Sequence, residues 1–142
     1  MNSSTPITNR EPKSLLARQW RQYSTAHRDR TNLLVHAATA PIFLAGGCAL
    51  LASPWAHGAW KLAAAGAGLL AMLIAMGAQG RAHRREEGAP APFRGPLDVL
   101  ARILAEQWIT FPRYVLTGAF ARGWRASGRA RAAVPAPDAP AC

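Results

Sequence analysis

Two long apolar runs joined by a five-residue turn constrain this chain more than any other feature. Residues 33–52 carry no formal charge, and residues 58–79 carry only Lys61, near the start of the run. At about 1.5 Å of rise per residue, each run is long enough to cross a hydrocarbon core of about 30 Å. The pattern predicts an all-α protein built on a transmembrane hairpin, with spans at about 33–52 and 58–79. Ala and Gly dominate the second run and insert more weakly than Leu or Ile, so a buried helical pair in a soluble protein is the competing reading.

The charges favour the membrane reading. Arg10, Lys13, Arg18, Arg21, Arg28 and Arg30 precede the first run, and Arg81, Arg84, Arg85 and Arg94 follow the second. The turn, Ser53-Pro54-Trp55-Ala56-His57, has no Lys or Arg. The positive-inside rule then predicts a multi-pass membrane protein with both termini cytoplasmic and the turn outside. The net charge of +10 flanks apolar spans rather than patterning a soluble face. Anionic lipid headgroups are therefore the expected partner, and nucleic acid is not. Cys48 lies within the first span and Cys142 is the final residue, which rules out a disulfide framework. The charged stretch before the first span exceeds a usual signal-peptide n-region, so the span is expected to serve as its own uncleaved signal.

Around the hairpin, residues 1–13 read as a flexible tail and 14–124 as one helical membrane domain. From about residue 14 to 27, Leu15, Leu16, Trp20 and Tyr23 share one face of an amphipathic basic helix suited to a headgroup region. Asp29 or Thr31 can cap the first span, and Pro41 should kink it. Trp55 and Trp60 bracket the turn as interfacial aromatics do. Ala64, Gly66, Gly68, Ala71 and Ala75 offer small surfaces for helix contact, including contact within a homo-oligomer. Further helices are expected at about 97–110 and 113–124, broken by Pro112. Leu97, Leu100, Leu104 and Trp108 form the apolar stripe of the first of these, and Arg102 and Glu106 an i,i+4 pair. Residues 125–142, rich in Ala, Pro and Arg, are expected to be disordered.

Three of the four histidines converge if the hairpin forms. His27 and His36 are nine residues apart, about half a turn out of phase on one continuous helix, so a break at residues 29–31 is required to bring them together. Asn32 and His36, at i and i+4, share a face. A histidine one turn inside an apolar span is costly without a partner, which makes His36 a functional candidate. At the far end Gln79, His83 and Glu87 are four apart, with Glu86 three residues from His83, and the hairpin returns them to the level of His27 and His36. Three imidazoles and one carboxylate, Glu86 or Glu87, suit a first-row divalent ion such as Fe2+ with room for substrate and O2. His57 falls at the opposite end and is excluded.

Tyr23-x3-His27-x4-Asn32-x3-His36 with Pro41, followed by His83 and Glu86 or Glu87 before Pro90, resembles a family of small membrane proteins. That family includes the fungal protein named for metabolism of phytosphingosine to odd-numbered fatty acids. Pro92-Phe93-Arg94-Gly95-Pro96-Leu97-Asp98, Glu106-Gln107-Trp108 and Phe111-Pro112-Arg113 look like its short bacterial members, and the likeness spans about residues 15–125. The resemblance implies an Fe(II)-dependent dioxygenase that shortens a 2-hydroxy fatty acid by one carbon and releases CO2, with His27, His36 and His83 as metal ligands and catalytic residues. Tyr23, Asn32 and Gln79 would support them. Glu86 or Glu87 would complete the metal shell or orient a ligand, and Arg28, Arg30, Arg84 and Arg85 would attract the substrate carboxylate. A non-catalytic membrane hairpin that binds lipid or a partner protein is the alternative.

Overall fold

A computed structural model describes residues 14–24, 27–86 and 92–132, and every regular element among them is helical. The first helix, α1 (Leu15–Tyr23), begins where the Ser14 side chain accepts the Ala17 N–H, and it ends at Ser24. After the break, Asp29 accepts the Asn32 N–H and starts α2 (Arg30–Ala52). A single 3₁₀ turn (Ser53–Trp55) and Gly58, at φ +55°, turn the chain into α3 (Trp60–His83).

The hairpin between α2 and α3 closes through glycine. A Cβ placed on Gly46 would sit 2.6 Å from the Gly68 carbonyl oxygen, so the two backbones touch where only glycine fits. Gly68 and Ala75 are buried here, which assigns part of the small-residue series to contact within the hairpin; the space around Gly66 is open. Both helices are long and apolar enough to cross a membrane. Their large side chains point away from the protein: Leu34, Leu51, Leu62, Leu70, Leu73 and Ile74 are each more than half exposed.

Beyond residue 91, Pro96 opens α4 (Pro96–Ala105), which runs through a π turn (Glu106–Thr110) into α5 (Phe111–Leu116). The sequence expectation that Pro112 breaks this helix is corrected. The Phe111 N–H reaches back five residues to the Glu106 carbonyl, and the wider turn carries the helix past the proline, which has no N–H to place. The break falls at Thr117 and Gly118, the latter at φ +69°. The last helix, α6 (Ala119–Ala132), runs through residues 125–132, which correct the expected disorder there. Residues 1–13 and 133–142 lie outside the described residues.

The α4–α5 helix leaves its apolar stripe outside. Leu97, Leu100, Leu104 and Trp108 are exposed, while Gln107, Thr110, Phe111 and Tyr114 are buried. Gln107 donates to Gln79 Oε1 at 2.6 Å, and Gln79 Nε2 donates to Gln107 Oε1 and to Thr39 Oγ1. Thr39 in turn donates to the Val35 carbonyl. This buried polar ladder joins α2, α3 and the π turn. Next to it, Tyr23, Leu33, Ala40, Phe111 and Tyr114 form the core, covered by Trp20, Phe120 and Trp124.

Candidate metal centre

The break between α1 and α2 frees His27 from helical register, as the convergence of the histidines requires. His27 is 2% exposed and stacks on Tyr23, with ring centroids 3.9 Å apart. His36 lies nearly two turns inside α2 and is fully buried, and His83 is the last residue of α3. The three rings meet edge to face, with centroids 4.6 to 4.9 Å apart. One residue the sequence reading did not place in the site completes the group. Glu106, the first residue of the π turn, puts Oε1 at 3.4 Å from His36 Nε2, 3.6 Å from His27 Nε2 and 4.0 Å from His83 Nε2.

Backbone carbonyls fix two of the tautomers. His27 Nδ1 lies 3.0 Å from the Tyr23 carbonyl oxygen and His36 Nδ1 lies 3.1 Å from that of Asn32. A carbonyl only accepts, so each Nδ1 carries the hydrogen, and a neutral ring presents a bare lone pair at Nε2. Both Nε2 atoms are buried with no hydrogen-bond partner. Burial pushes the Glu106 carboxyl up, and only positive charge among His36, His27 and His83 outweighs that effect and holds it below its usual range, so with neutral rings the ionised carboxylate calls for a cation between them. The His27 imidazole is pushed down to about 3, chiefly by burial and then by His36.

These are the atoms a metal ion needs. The ligand atoms of His27, His36, His83 and Glu106 all lie within 4.8 Å of one another. Four ligands about 2.1 Å from a common ion stand about 3.4 Å apart in a tetrahedron and about 3.0 Å apart at neighbouring octahedral corners. The distances from Glu106 to the imidazoles therefore need only small contraction. Buried lone pairs facing an ionised carboxylate oxygen, with no donor of their own, fit a cation between them.

Supporting residues surround the group. Tyr23 Oη donates to Glu106 Oε1 at 3.3 Å, and burial, followed by the Glu106 charge, raises the hydroxyl well above its usual range, so it remains a donor. Asn32 Nδ2 donates to Glu86 Oε1 at 2.7 Å and lies 3.4 Å from His83 Nδ1. Glu86 also accepts the Arg28 and Asp29 backbone N–H groups. The carboxyl of the cluster, its fourth ligand, is thus Glu106 rather than Glu86, which instead fastens the start of α2 to the end of α3. Glu87 lies outside the described residues. Gln79 is outside the cluster but holds Gln107, the neighbour of Glu106, in place.

The expected i,i+4 pair of Arg102 with Glu106 is replaced by Arg102 Nε with Asp98 Oδ2 at 3.0 Å, which leaves Glu106 to the histidines. Of the four arginines expected to meet a substrate carboxylate, Arg28 lines a cavity of about 680 Å³ that has His27 in its wall. Arg30 instead stacks on Trp124, with its guanidinium 4.0 Å from the ring centroid. Arg84 and Arg85, which follow His83, are exposed, and His57 lies in the turn and is not among the grouped ligands. Glu106 had one signal in the sequence: once Asp98 and Arg102 pair, it is the remaining acid on a face that also carries Gln107 and Thr110. No family model, curated protein or solved structure matches the chain.

Proposed function

We propose that this chain is a cytoplasm-facing membrane enzyme, an Fe(II)-dependent dioxygenase that shortens 2-hydroxy fatty acids by one carbon. The observation that carries the reading is the pair of buried, partnerless Nε2 atoms of His27 and His36 aimed at the ionised Glu106. His27, His36, His83 and Glu106 would hold the iron, which supplies the redox chemistry that couples O2 to the acid. The reaction balances without an added reductant: one 2-hydroxy acid and one O2 give the acid one carbon shorter, CO2 and water. The exposed leucines of α2 and α3 favour a bilayer around the hairpin, and the basic residues at its open end favour a cytoplasmic site.

Each protein group has a task. The Tyr23 and Asn32 carbonyls keep Nδ1 protonated on His27 and His36, so their Nε2 atoms remain available as ligands. Tyr23 Oη holds Glu106 in place, and the Gln79–Gln107 pair anchors the turn that carries it. His36 is fully buried, which keeps bulk water from one side of the centre. Incubating the purified protein with 2-hydroxypalmitate, Fe(II) and O2 tests the reading. Pentadecanoate and CO2 in equal amounts are expected; unchanged substrate from iron-loaded protein would rule the activity out for this acid.

A further inference from the structure

The cavity beside His27 has a composition that points to its occupant. Aromatic side chains of Trp20, Tyr23 and Tyr114 form much of its wall, and Arg28 and Arg122 supply two guanidinium groups, while among the described residues no Asp or Glu lines it; the nearby Glu86 is taken up by the backbone N–H groups of Arg28 and Asp29 and by Asn32. Neither guanidinium makes a salt bridge among the described residues. Arg122 is held from behind, where Nη1 donates to the Thr117 carbonyl at 3.2 Å. Burial, joined by the Glu86 charge, raises the Tyr114 hydroxyl against the nearby Arg122 charge, so at neutral pH it too is a donor. At about 680 Å³ the space suits one small ligand.

We infer that this cavity binds the head of a single-chain carboxylic acid, with Arg122 and Arg28 as its carboxylate anchors and the aromatic wall around the first carbons of the chain. Arg122 is a specificity-determining residue that selects an acid over the matching alcohol. Its planar fork matches two carboxylate oxygens at once. The inference gives the proposed enzyme its acid-binding residues, yet binding in the cavity does not require metal, so the two readings fail separately.

The test is a calorimetric titration of metal-free, full-length protein in a non-ionic detergent with octanoate, 1-octanol and octyl phosphate. Octanoate is expected to bind most tightly. Arg122→Gln and Arg28→Gln should each weaken octanoate by about tenfold while leaving octanol unchanged. Arg125→Gln, outside the cavity, should match wild type. Arg122→Lys keeps the charge without the fork and should fall between wild type and Arg122→Gln, provided that circular dichroism shows an intact helical fold for each variant. Metal uptake by Arg122→Gln should equal that of wild type, which separates loss of the anchor from loss of the centre. Equal affinity for octanoate and octanol, wild-type octanoate affinity in both Gln variants, or preference for octyl phosphate would each overturn the inference.

Discussion

Glu106→Gln is the substitution that most sharply separates a metal centre from a cluster of packed histidines. The amide keeps the size and shape of the carboxylate, so the π turn and the Gln79–Gln107 pair beside it should survive. What changes is the anionic oxygen that lies 3.4, 3.6 and 4.0 Å from three imidazole nitrogens. Loss of a residue that merely orients a ligand commonly weakens metal binding by 10 to 100-fold, so loss of the anionic ligand itself should cost about 100-fold or more. At a metal concentration about 100 times the wild-type Kd, binding stabilises the folded state by about 2.7 kcal/mol, and a 100-fold weaker site retains about 0.4 kcal/mol. For a chain of this size, with about 4 °C of Tm per kcal/mol, that becomes a rise of about 10 °C for wild type and about 2 °C for the variant. The assay is thermal unfolding in detergent with and without Co(II), a redox-stable stand-in, and His57→Ala is the control outside the cluster. A Glu106→Gln protein whose Tm rises as far as that of wild type would refute the assignment.

Other predictions address the remaining parts. Gln107→Leu leaves the buried Gln79 Oε1 without its donor, though Nε2 keeps Thr39, and should destabilise by about 1 to 3 kcal/mol, part of which Gln79→Leu in the same chain restores; additive losses would show that the pair does not act as a unit. Gly46→Ala forces a Cβ against the Gly68 carbonyl and should cost about 1 to 3 kcal/mol, whereas Gly66→Ala, in open space, should be neutral or stabilising; equal effects would contradict the glycine contact. Without metal, stability should fall as pH drops from about 6.5 toward 3. The unfolded chain protonates His27 near its ordinary value, whereas the folded state resists until about 3, so the stability present above the unfolded value is lost with acid, on the order of 4 kcal/mol by pH 3. His27→Gln should flatten that slope, and an unchanged slope would place the titration elsewhere. A topology reporter at residue 57 should read periplasmic and one at residue 90 cytoplasmic; the same side for both would dismantle the membrane hairpin.

The hairpin and its three histidines were legible because each rests on a short-range rule. Two apolar runs, a Pro-containing turn and basic flanks specify antiparallel helices, and a break near Asp29 is the one condition under which His27 and His36 can face each other. Glu106 was hidden for a reason of environment. Leu97, Leu100, Leu104 and Trp108 form the exposed stripe of their helix, so the side that carries Glu106 and Gln107 turns inward, a direction that periodicity alone does not specify. The π turn hid the helix continuing beyond Pro112, because a helical period of 3.6 has no place for the added residue. The pairing of Glu86 with the start of α2 was equally invisible: it joins backbone N–H groups 57 and 58 residues away.

The central claim is that His27, His36, His83 and Glu106 form one metal site, and counting the metal tests it most directly. Full-length protein purified in detergent, loaded anaerobically with Fe(II) and freed of excess by gel filtration should hold about one iron per chain. His57→Ala should hold the same, while His36→Ala should hold nearly none. No iron on the wild-type protein, or wild-type iron on His36→Ala, would contradict the account.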